Sequence, residues 1–549
     1  MGFDVSPRQL KPPKQKARCA QSARGVFTPH SSLEPDFTAF QTKIKKLPTK
    51  TLPSTATDIS VNSAIKLDIK MMSLFQRCLN RIVTTAFAMA IVSGVFGQSP
   101  VTVRIDPKAP VGRMISDDFV GLSFGMRAVL PGKEETHFFS PTNTALITLF
   151  HNVGIKHLRV GGTTVEAPPD TAIPTASDID SLFAFAHVAG VQRIIYSLRL
   201  LETNAALNYE ATNVAIAKYV WSRYRPQLDC FAIGNEPDLH RVFDQDYVIK
   251  DFPSYLTEWR KFVGAIVAAI PEAKFAGPDG SGNVGFTTNF AIAECGSGLL
   301  KMVTDHFYVG GKGRDVEPER GIDSMLSAEW ISRNEKRFDS ATNPVRRGGC
   351  AYRLTEANDH YSGGVRDASD TFAGALWALD FLHWWVAHEI VGVDFHNTMW
   401  VANDVIAHDK GGELRINPKG YGLKAFAIGG HGSPEHVTID NARELNLTAY
   451  SFRDGGQHFV TLINKEHGVK ARSAAVTISG VGAGDAMTMV LQSPNGVAAK
   501  TGITLGGASI TSDTIWNGRW KKAKINRSRE CVVRVVPGTA IIVKLTESK

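Results

Sequence analysis

Two glutamates carry the residue types and setting that do chemistry in this chain: Glu236 in Phe231-Ala-Ile-Gly-Asn-Glu-Pro-Asp238 and Glu356 in Tyr352-Arg-Leu-Thr-Glu-Ala-Asn358. Each ends a short apolar run of strand type and is followed by turn-forming residues. At the C-terminal mouth of a parallel barrel, two facing carboxylates suit retaining glycoside hydrolysis, with one as nucleophile and the other as general acid and then base. Asn235 beside Glu236 fits the acid, because its amide can hydrogen-bond a sugar 2-hydroxyl while Glu236 protonates the leaving oxygen. Taken alone, Asn235-Glu236-Pro237 also reads as a surface turn. A second glutamate in the same setting, 120 residues later, weighs against that reading, and carboxyl groups ~5–5.5 Å apart would make the enzyme retaining with Glu356 as nucleophile.

Other features are more ambiguous. Tyr308 ends the run Asp305-His306-Phe307-Tyr308 and reads either as a hydroxyl donor to the nucleophile or as an aromatic platform. His306 reads as a wall or supporting residue rather than a base or metal ligand, since no second histidine stands beside it at ligand spacing. Tyr361-Ser-Gly-Gly364 follows the nucleophile closely. Its Gly363 and Gly364 could expose backbone N–H groups as a nest for an anion such as a sugar carboxylate, or form an ordinary loop. The basic run Arg519 to Arg529 reads as a solvated hairpin, with an anionic polysaccharide as the alternative partner. Trp384-Trp385 sit in a helical pattern, where core packing is the default for at least one. No metal or cofactor is expected.

Eight strand candidates position these residues: 120–124, 156–161, 193–200, 230–234, 274–277, 303–308, 351–355 and 392–396. Amphipathic stretches at 211–225, 255–270, 324–337 and 371–390 lie between them. The alternation predicts an α/β fold, a (β/α)8 TIM barrel over 116–402, with Glu236 and Glu356 on its fourth and seventh strands. A doubly wound open sheet lacks support, because no Gly-x-Gly-x-x-Gly turn follows a first strand. Past Asn403 short alternating segments separated by Gly, Asn and Asp predict a β-sandwich domain over 403–549. The strand before the barrel, within 98–115, is expected to join that sandwich.

The chain has 549 residues and a net charge of +8, but the charge is unevenly placed. Residues 1–97 hold 14 Lys+Arg against 5 Asp+Glu, which leaves the remainder at 47 against 48. The basic balance is therefore no argument for nucleic acid. Residues 1–70, rich in Lys, Thr, Pro and Ser, read as a disordered extension. Residues 71–97 read as a signal peptide, with a basic start, an apolar stretch from Ile82 to Gly97 and small residues before Gln98. That stretch of about 16 residues is shorter than the ~20 needed to span a bilayer. A leader so far from the first residue suggests translation from Met71 or Met72, residues 1–70 being a gene-model artefact. The mature chain is expected to be secreted or periplasmic, with no membrane partner. Its four cysteines, Cys230, Cys295, Cys350 and Cys531, show no metal-ligand spacing, and either a disulfide or buried thiols would suit them.

From about Val101 onward the chain resembles glycoside hydrolase family 79, the β-glucuronidases that include heparanase-like enzymes. The resemblance lies in Asn235-Glu236-Pro237, Thr355-Glu356-Ala-Asn, His306-Phe-Tyr308, Leu158-Arg-Val-Gly-Gly-Thr163 and Asp394-Phe-His396, in that family's arrangement. It implies a retaining, exo-acting enzyme on terminal β-linked glucuronic acid. It also implies that Glu236 is the acid/base and Glu356 the nucleophile, that Tyr308 contacts the nucleophile and that Thr163 lines the sugar site. Tyr361 with the Gly363-Gly364 backbone would hold the uronate carboxylate. The chain departs from the pattern at Gly125 and Arg127, where relatives often carry an acidic residue for sugar hydroxyls, and at Arg199, where they often have Asn. These departures admit a substituted uronate such as 4-O-methylglucuronate, or a different sugar, as the substrate. The alternatives are a barrel glycosidase on neutral sugars and a catalytically silent carbohydrate-binding protein.

Overall fold

The computed structural model describes residues 98–110, 112–132, 135–166, 173–202, 207–239 and 249–548. The expected leader and polar extension lie outside them. Strand β1 (Gln98–Pro110) comes first and takes no part in the barrel. The barrel is closed by β2 (Val120–Gly125), β3 (His157–Gly161), β4 (Arg193–Leu198), β5 (Leu228–Ile233), β6 (Phe275–Gly280), β7 (Leu300–Tyr308), β8 (Ala351–Asn358) and β9 (Gly392–His396). All eight run parallel, in chain order, and β9 returns to β2. These are the eight expected strands, with ends shifted by a few residues. Because β8 runs on to Asn358, Glu356 lies inside a strand rather than just beyond one.

Burial on both faces explains the near-continuous apolar strands, as in other helix-covered parallel sheets. The barrel interior is nevertheless charged. Arg353 donates to both oxygens of Asp394 at 2.8 and 2.9 Å, and His157 Nδ1 lies 2.7 Å from Asp394. Gly392 makes room for this cluster, since a Cβ there would sit 2.0 Å from the Arg353 guanidinium.

After the barrel, the hairpin β10 (Ile406–His408) and β11 (Leu414–Ile416) and the helix Pro418–Gly429 lead into a second sheet. It comprises β12 (Ser433–Asp440), β13 (Leu447–Asp454), β14 (Gln457–Asn464), β15 (Ser473–Ser479), β16 (Ala483–Gln492), β17 (Thr504–Leu505), β18 (Lys521–Lys522), β19 (Lys524–Ile525), β20 (Cys531–Val535) and β21 (Thr539–Glu547). Its order is β17-β16-β21-β14-β13-β12-β1-β15-β20-β19, with β18 beside β16. Strand β1 therefore belongs to it, antiparallel to β12 and parallel to β15. Val103, Leu462, Val476, Val535 and Val543, from both halves of that order, share one core. The sandwich is thus one mixed sheet folded over itself rather than two separate ones. The Arg519–Arg529 run forms short strands and turns with exposed basic side chains.

Helix Phe372–Ala387 lies between barrel and sheet and is buried along almost its whole length. Phe381 meets Phe307 and Phe395 of the barrel, while His383 stacks on Tyr450 of β13 at 4.9 Å. Trp384 and Trp385 are both buried. Cys295 and Cys350 form a disulfide, and Cys230 and Cys531 are buried free thiols. No described helix is long and apolar enough to cross a membrane.

Candidate active site

Glu236 stands on the turn after β5. Gly234 (φ 83°) and Glu236 itself (φ 44°) both have left-handed backbones. Such a conformation is costly for a glutamate and persists only where its surroundings impose it. Here the Glu236 N–H donates to the Asp279 carbonyl at 2.8 Å, and Asp238 accepts from the Ser281 N–H and hydroxyl at 2.9 and 2.7 Å. The turn is therefore tied to the end of β6.

Glu356 is 7% exposed on β8. Tyr308, at the end of β7, donates its hydroxyl to Glu356 Oε1 at 2.7 Å, and Arg159 from β3 donates to Oε2 at 3.2 Å. His396 Nδ1 lies 3.5 Å from Oε2. Burial alone would raise the Glu356 pKa, but the positive charges of His396, His306 and Arg159 and the Tyr308 bond outweigh it and hold the pKa at about 2. His306 bridges the pair, its Nδ1 2.9 Å from Glu236 Oε1 and 3.9 Å from Glu356 Oε2. Burial disfavours its imidazolium, yet the Glu356 charge and the Glu236 bond prevail, so its pKa is raised. Carboxylate oxygens of the two glutamates and a His306 nitrogen all lie within 4.8 Å of one another. These three side chains would each offer a cation one ligand atom, but Tyr308 and Arg159 already bond to the two Glu356 oxygens.

Arg159 is the hub that the motifs did not single out. Fully buried, it also donates to Asn235 Oδ1 at 2.7 Å, Asp279 Oδ2 at 2.9 Å and Ser123 Oγ at 3.2 Å. The Asn235 carbonyl oxygen thus faces Arg159, which fixes the amide's orientation beside Glu236. Asp279 accepts in turn from Thr355 Oγ1 at 2.6 Å. The signal was present in the sequence: an arginine amid the apolar run Leu158-Arg-Val160 must meet carboxylates when buried.

Ser362, Gly363 and Gly364 have φ of 58°, 88° and 79°, three left-handed residues in succession. Their N–H groups donate to no other group among the described residues, which makes the turn a nest. The loop is braced from behind, with Gly363 O accepting from Ala402 and Asn403 N–H at 3.0 and 3.3 Å. Buried Lys419 bonds Asp359 at 3.2 Å and Asn403 O at 2.8 Å. Tyr361 is 46% exposed on this loop. Thr163 sits on the turn after β3 and, with Gly125 and Arg127, lines a separate cavity that reaches the pair at His396. Arg199, just after β4, is buried and donates to the carbonyls of Leu201, Val165 and Glu166 at 3.2, 3.1 and 2.9 Å. It ties two loops together.

Residues 198–383, from the end of β4 to the helix after β8, match the model of the glycosyl hydrolase family 79 N-terminal domain. No curated protein matches the chain. Among solved structures, a 4-O-α-L-rhamnosyl-β-D-glucuronidase from Fusarium oxysporum 12S is similar in fold, with TM-score 0.60 and 16% identity over 81% of this chain and 99% of that one. AbfB, a family 51 α-L-arabinofuranosidase from Bifidobacterium longum, gives TM-score 0.60 and 13% identity over 82% and 100%. A monomeric β-xylosidase from Caulobacter crescentus CB15 gives 0.53 and 14% over 82% and 100%. At such identities these structures speak for the fold. Fold and family model together define a glycoside hydrolase. Its resemblance to family 79 holds, and the matched segment contains Glu236, His306, Tyr308, Glu356 and the Tyr361–Gly364 loop.

Proposed function

We propose that the chain is a retaining glycosidase that releases β-linked glucuronic acid, or its 4-O-methyl ether, from glycans or glycosides. The observation that carries this reading is the unequal pair. Glu356 is buried, held ionised by three cationic groups and a tyrosine, while Glu236 is more exposed and touches only His306 among them. In the first step Glu356 attacks the anomeric carbon as the glycosidic C–O bond breaks, and the Glu236 proton passes to the leaving oxygen. Glu236 then takes a proton from water, whose oxygen displaces Glu356 and frees the sugar. Carboxyl groups ~5–5.5 Å apart serve this route and ~6.5–9.5 Å the inverting one, and the close approach of the pair favours the first.

The Ser362–Gly364 nest supports a uronate over a neutral sugar, since free N–H groups beside the nucleophile's strand suit a carboxylate. The test compares aryl β-glucuronide and its 4-O-methyl ether with aryl β-glucoside and β-xyloside. Uronides are expected to turn over with the β-anomer formed first by NMR. Glu356→Ala and Glu236→Gln are expected to lose ~10²–10⁴-fold in kcat. Turnover of neutral glycosides alone would discard the uronate, and near-normal Glu236→Gln activity would discard the pair.

A further inference from the structure

A third carboxylate meets the arginine that serves the pair, and the double displacement gives it no task. Asp279 stands on β6 just before Gly280 and is 1% exposed, so it acts only through other residues. Its backbone is left-handed (φ 52°), as is that of Glu236 (φ 44°), and the two are joined by the Glu236 N–H on the Asp279 carbonyl at 2.8 Å. A non-glycine residue keeps such a backbone only where its surroundings impose it, and such residues gather at active sites.

The other polar atoms of Asp279 reach three more strands. Oδ2 accepts from Arg159 Nη2 at 2.9 Å, Oδ1 accepts from the Thr355 hydroxyl at 2.6 Å, and the N–H donates to Thr304 Oγ1 at 3.3 Å. Thr355 directly precedes Glu356, while the same guanidinium donates to Asn235 and to Glu356. Burial opposes the Asp279 charge, but Arg159, His306 and the bonds from Thr355 and Thr304 outweigh it and lower its pKa. The titratable and charged groups that face it are Arg159 of β3, Cys230 of β5, Tyr255 of the helix Phe252–Ala269 and His306 of β7, while Glu236 and Glu356 share Arg159 with it. Its charge in turn favours the imidazolium of His306, the side chain that bridges the two glutamates.

We propose that Asp279 is the positioning residue of the pair: it ties the Glu236 turn and Arg159 to the strand of the nucleophile, and its fixed negative charge keeps the proton on the Glu236–His306 unit. The inference rests on the roles given to the two glutamates under the proposed function, and it holds for a uronide or a neutral glycoside alike. Because Glu236 and His306 share a hydrogen bond, the proton they hold belongs to both, and a charge that acts on one acts on the unit.

The experiment measures kcat, KM and the pH profile of kcat/KM on aryl β-glucuronide, or on whichever aryl β-glucoside or β-xyloside the parent cleaves best. Asp279→Asn keeps the side-chain size and tolerates the left-handed backbone. It is expected to lower kcat ~10–100-fold with KM changed less than about threefold. Loss of a fixed negative charge disfavours the protonated form beside it, so the basic limb is expected at lower pH by about half a unit or more. Thr355→Val keeps the charge and removes one bond, so it is expected to lose about 2–10-fold in kcat with the limb in place, and Thr355→Ser to hold the parent rate. The position of a limb is read on the folded fraction alone, which separates it from a loss of folded protein. Near-parent kcat in Asp279→Asn, a kcat loss with both limbs unmoved, a raised KM with kcat unchanged, or parent-like kcat in Thr355→Val would each overturn the role while the pair stands. Near-normal activity in Glu236→Gln, measured alongside, would overturn the pair itself and this inference with it.

Discussion

Tyr308 and Arg159 decide how Glu356 works, because each holds one of its two oxygens. The Glu356 pKa of about 2 means that the nucleophile stays ionised across the working range. Removing the Tyr308 hydroxyl removes a bond to the charged form and moves that pKa up toward the ordinary carboxylate value of ~4.3. A carboxylate is lost as pH falls through its pKa, so the acid limb of kcat/KM in Tyr308→Phe is expected at higher pH than in the parent. A bond to a charged group contributes ~1.5–3 kcal/mol, which corresponds to a ~10–100-fold loss at the optimum. A rate loss with an unmoved acid limb would make Tyr308 a packing residue only. Much of this site was legible in the sequence, since strand-tip carboxylates and glycine turns are local signals. Arg159 and His306 were not assigned their contacts, because their partners Asp279, Asn235 and Glu236 lie 70 or more residues away in the chain.

At the scale of elements, the strands carry the site at one end and a charged clamp beneath it. His157 of β3, Arg353 of β8 and Asp394 of β9 join three strands, each two or three residues before the side chain that its strand sends to the site: Arg159, Glu356 and His396. Burial and Arg353 both oppose the charge on His157, but Asp394 and Asp229 outweigh them, so its folded pKa is raised. A raised histidine contributes stability that is fully present below its unfolded pKa and is lost as pH rises through the folded one. His306 and His458 share the sign, so the informative quantity is a difference between proteins. His157→Gln is expected to cost more unfolding free energy at pH 6 than at pH 9 in urea titrations. Equal costs at both values would mean that His157 acts as a neutral spacer. The motif Asp394-Phe-His396 thus divides its work, with Asp394 serving the clamp and His396 the nucleophile.

At the scale of the whole molecule, helix Phe372–Ala387 is one of several elements that fasten barrel to sheet, beside helix Pro418–Gly429 and Asn152, whose amide donates to the Thr511 and Thr514 carbonyls at 2.9 and 2.8 Å. The sequence pattern revealed both parts, but not helix Pro418–Gly429, which lies past Asn403 where only alternating strand segments were expected. It also revealed the early strand, where Val101, Val103 and Ile105 are buried and Arg104 and Asp106 exposed. What alternation could not reveal was pairing order, which joins β1 to β12 and β15 across more than 300 residues. Nor could it reveal how the units dock. Asp380, in the buried helix Phe372–Ala387, accepts from Lys465 at 2.6 Å, Tyr450 at 2.7 Å and Thr448 at 2.8 Å, all on or just after sheet strands. Asp380 and Lys465 are both buried. Removing one member of such a pair leaves the other charge without compensation, at ~3–5 kcal/mol, whereas replacing both by apolar groups costs little or even stabilises. Asp380→Ala is therefore expected to lose about 3–5 kcal/mol in urea unfolding, and the double variant Asp380→Leu with Lys465→Met to regain most of it. A loss below ~1 kcal/mol in the single variant would show an exposed-type pair, and the contacts of Phe381 and His383 would then be what this helix contributes to the joint.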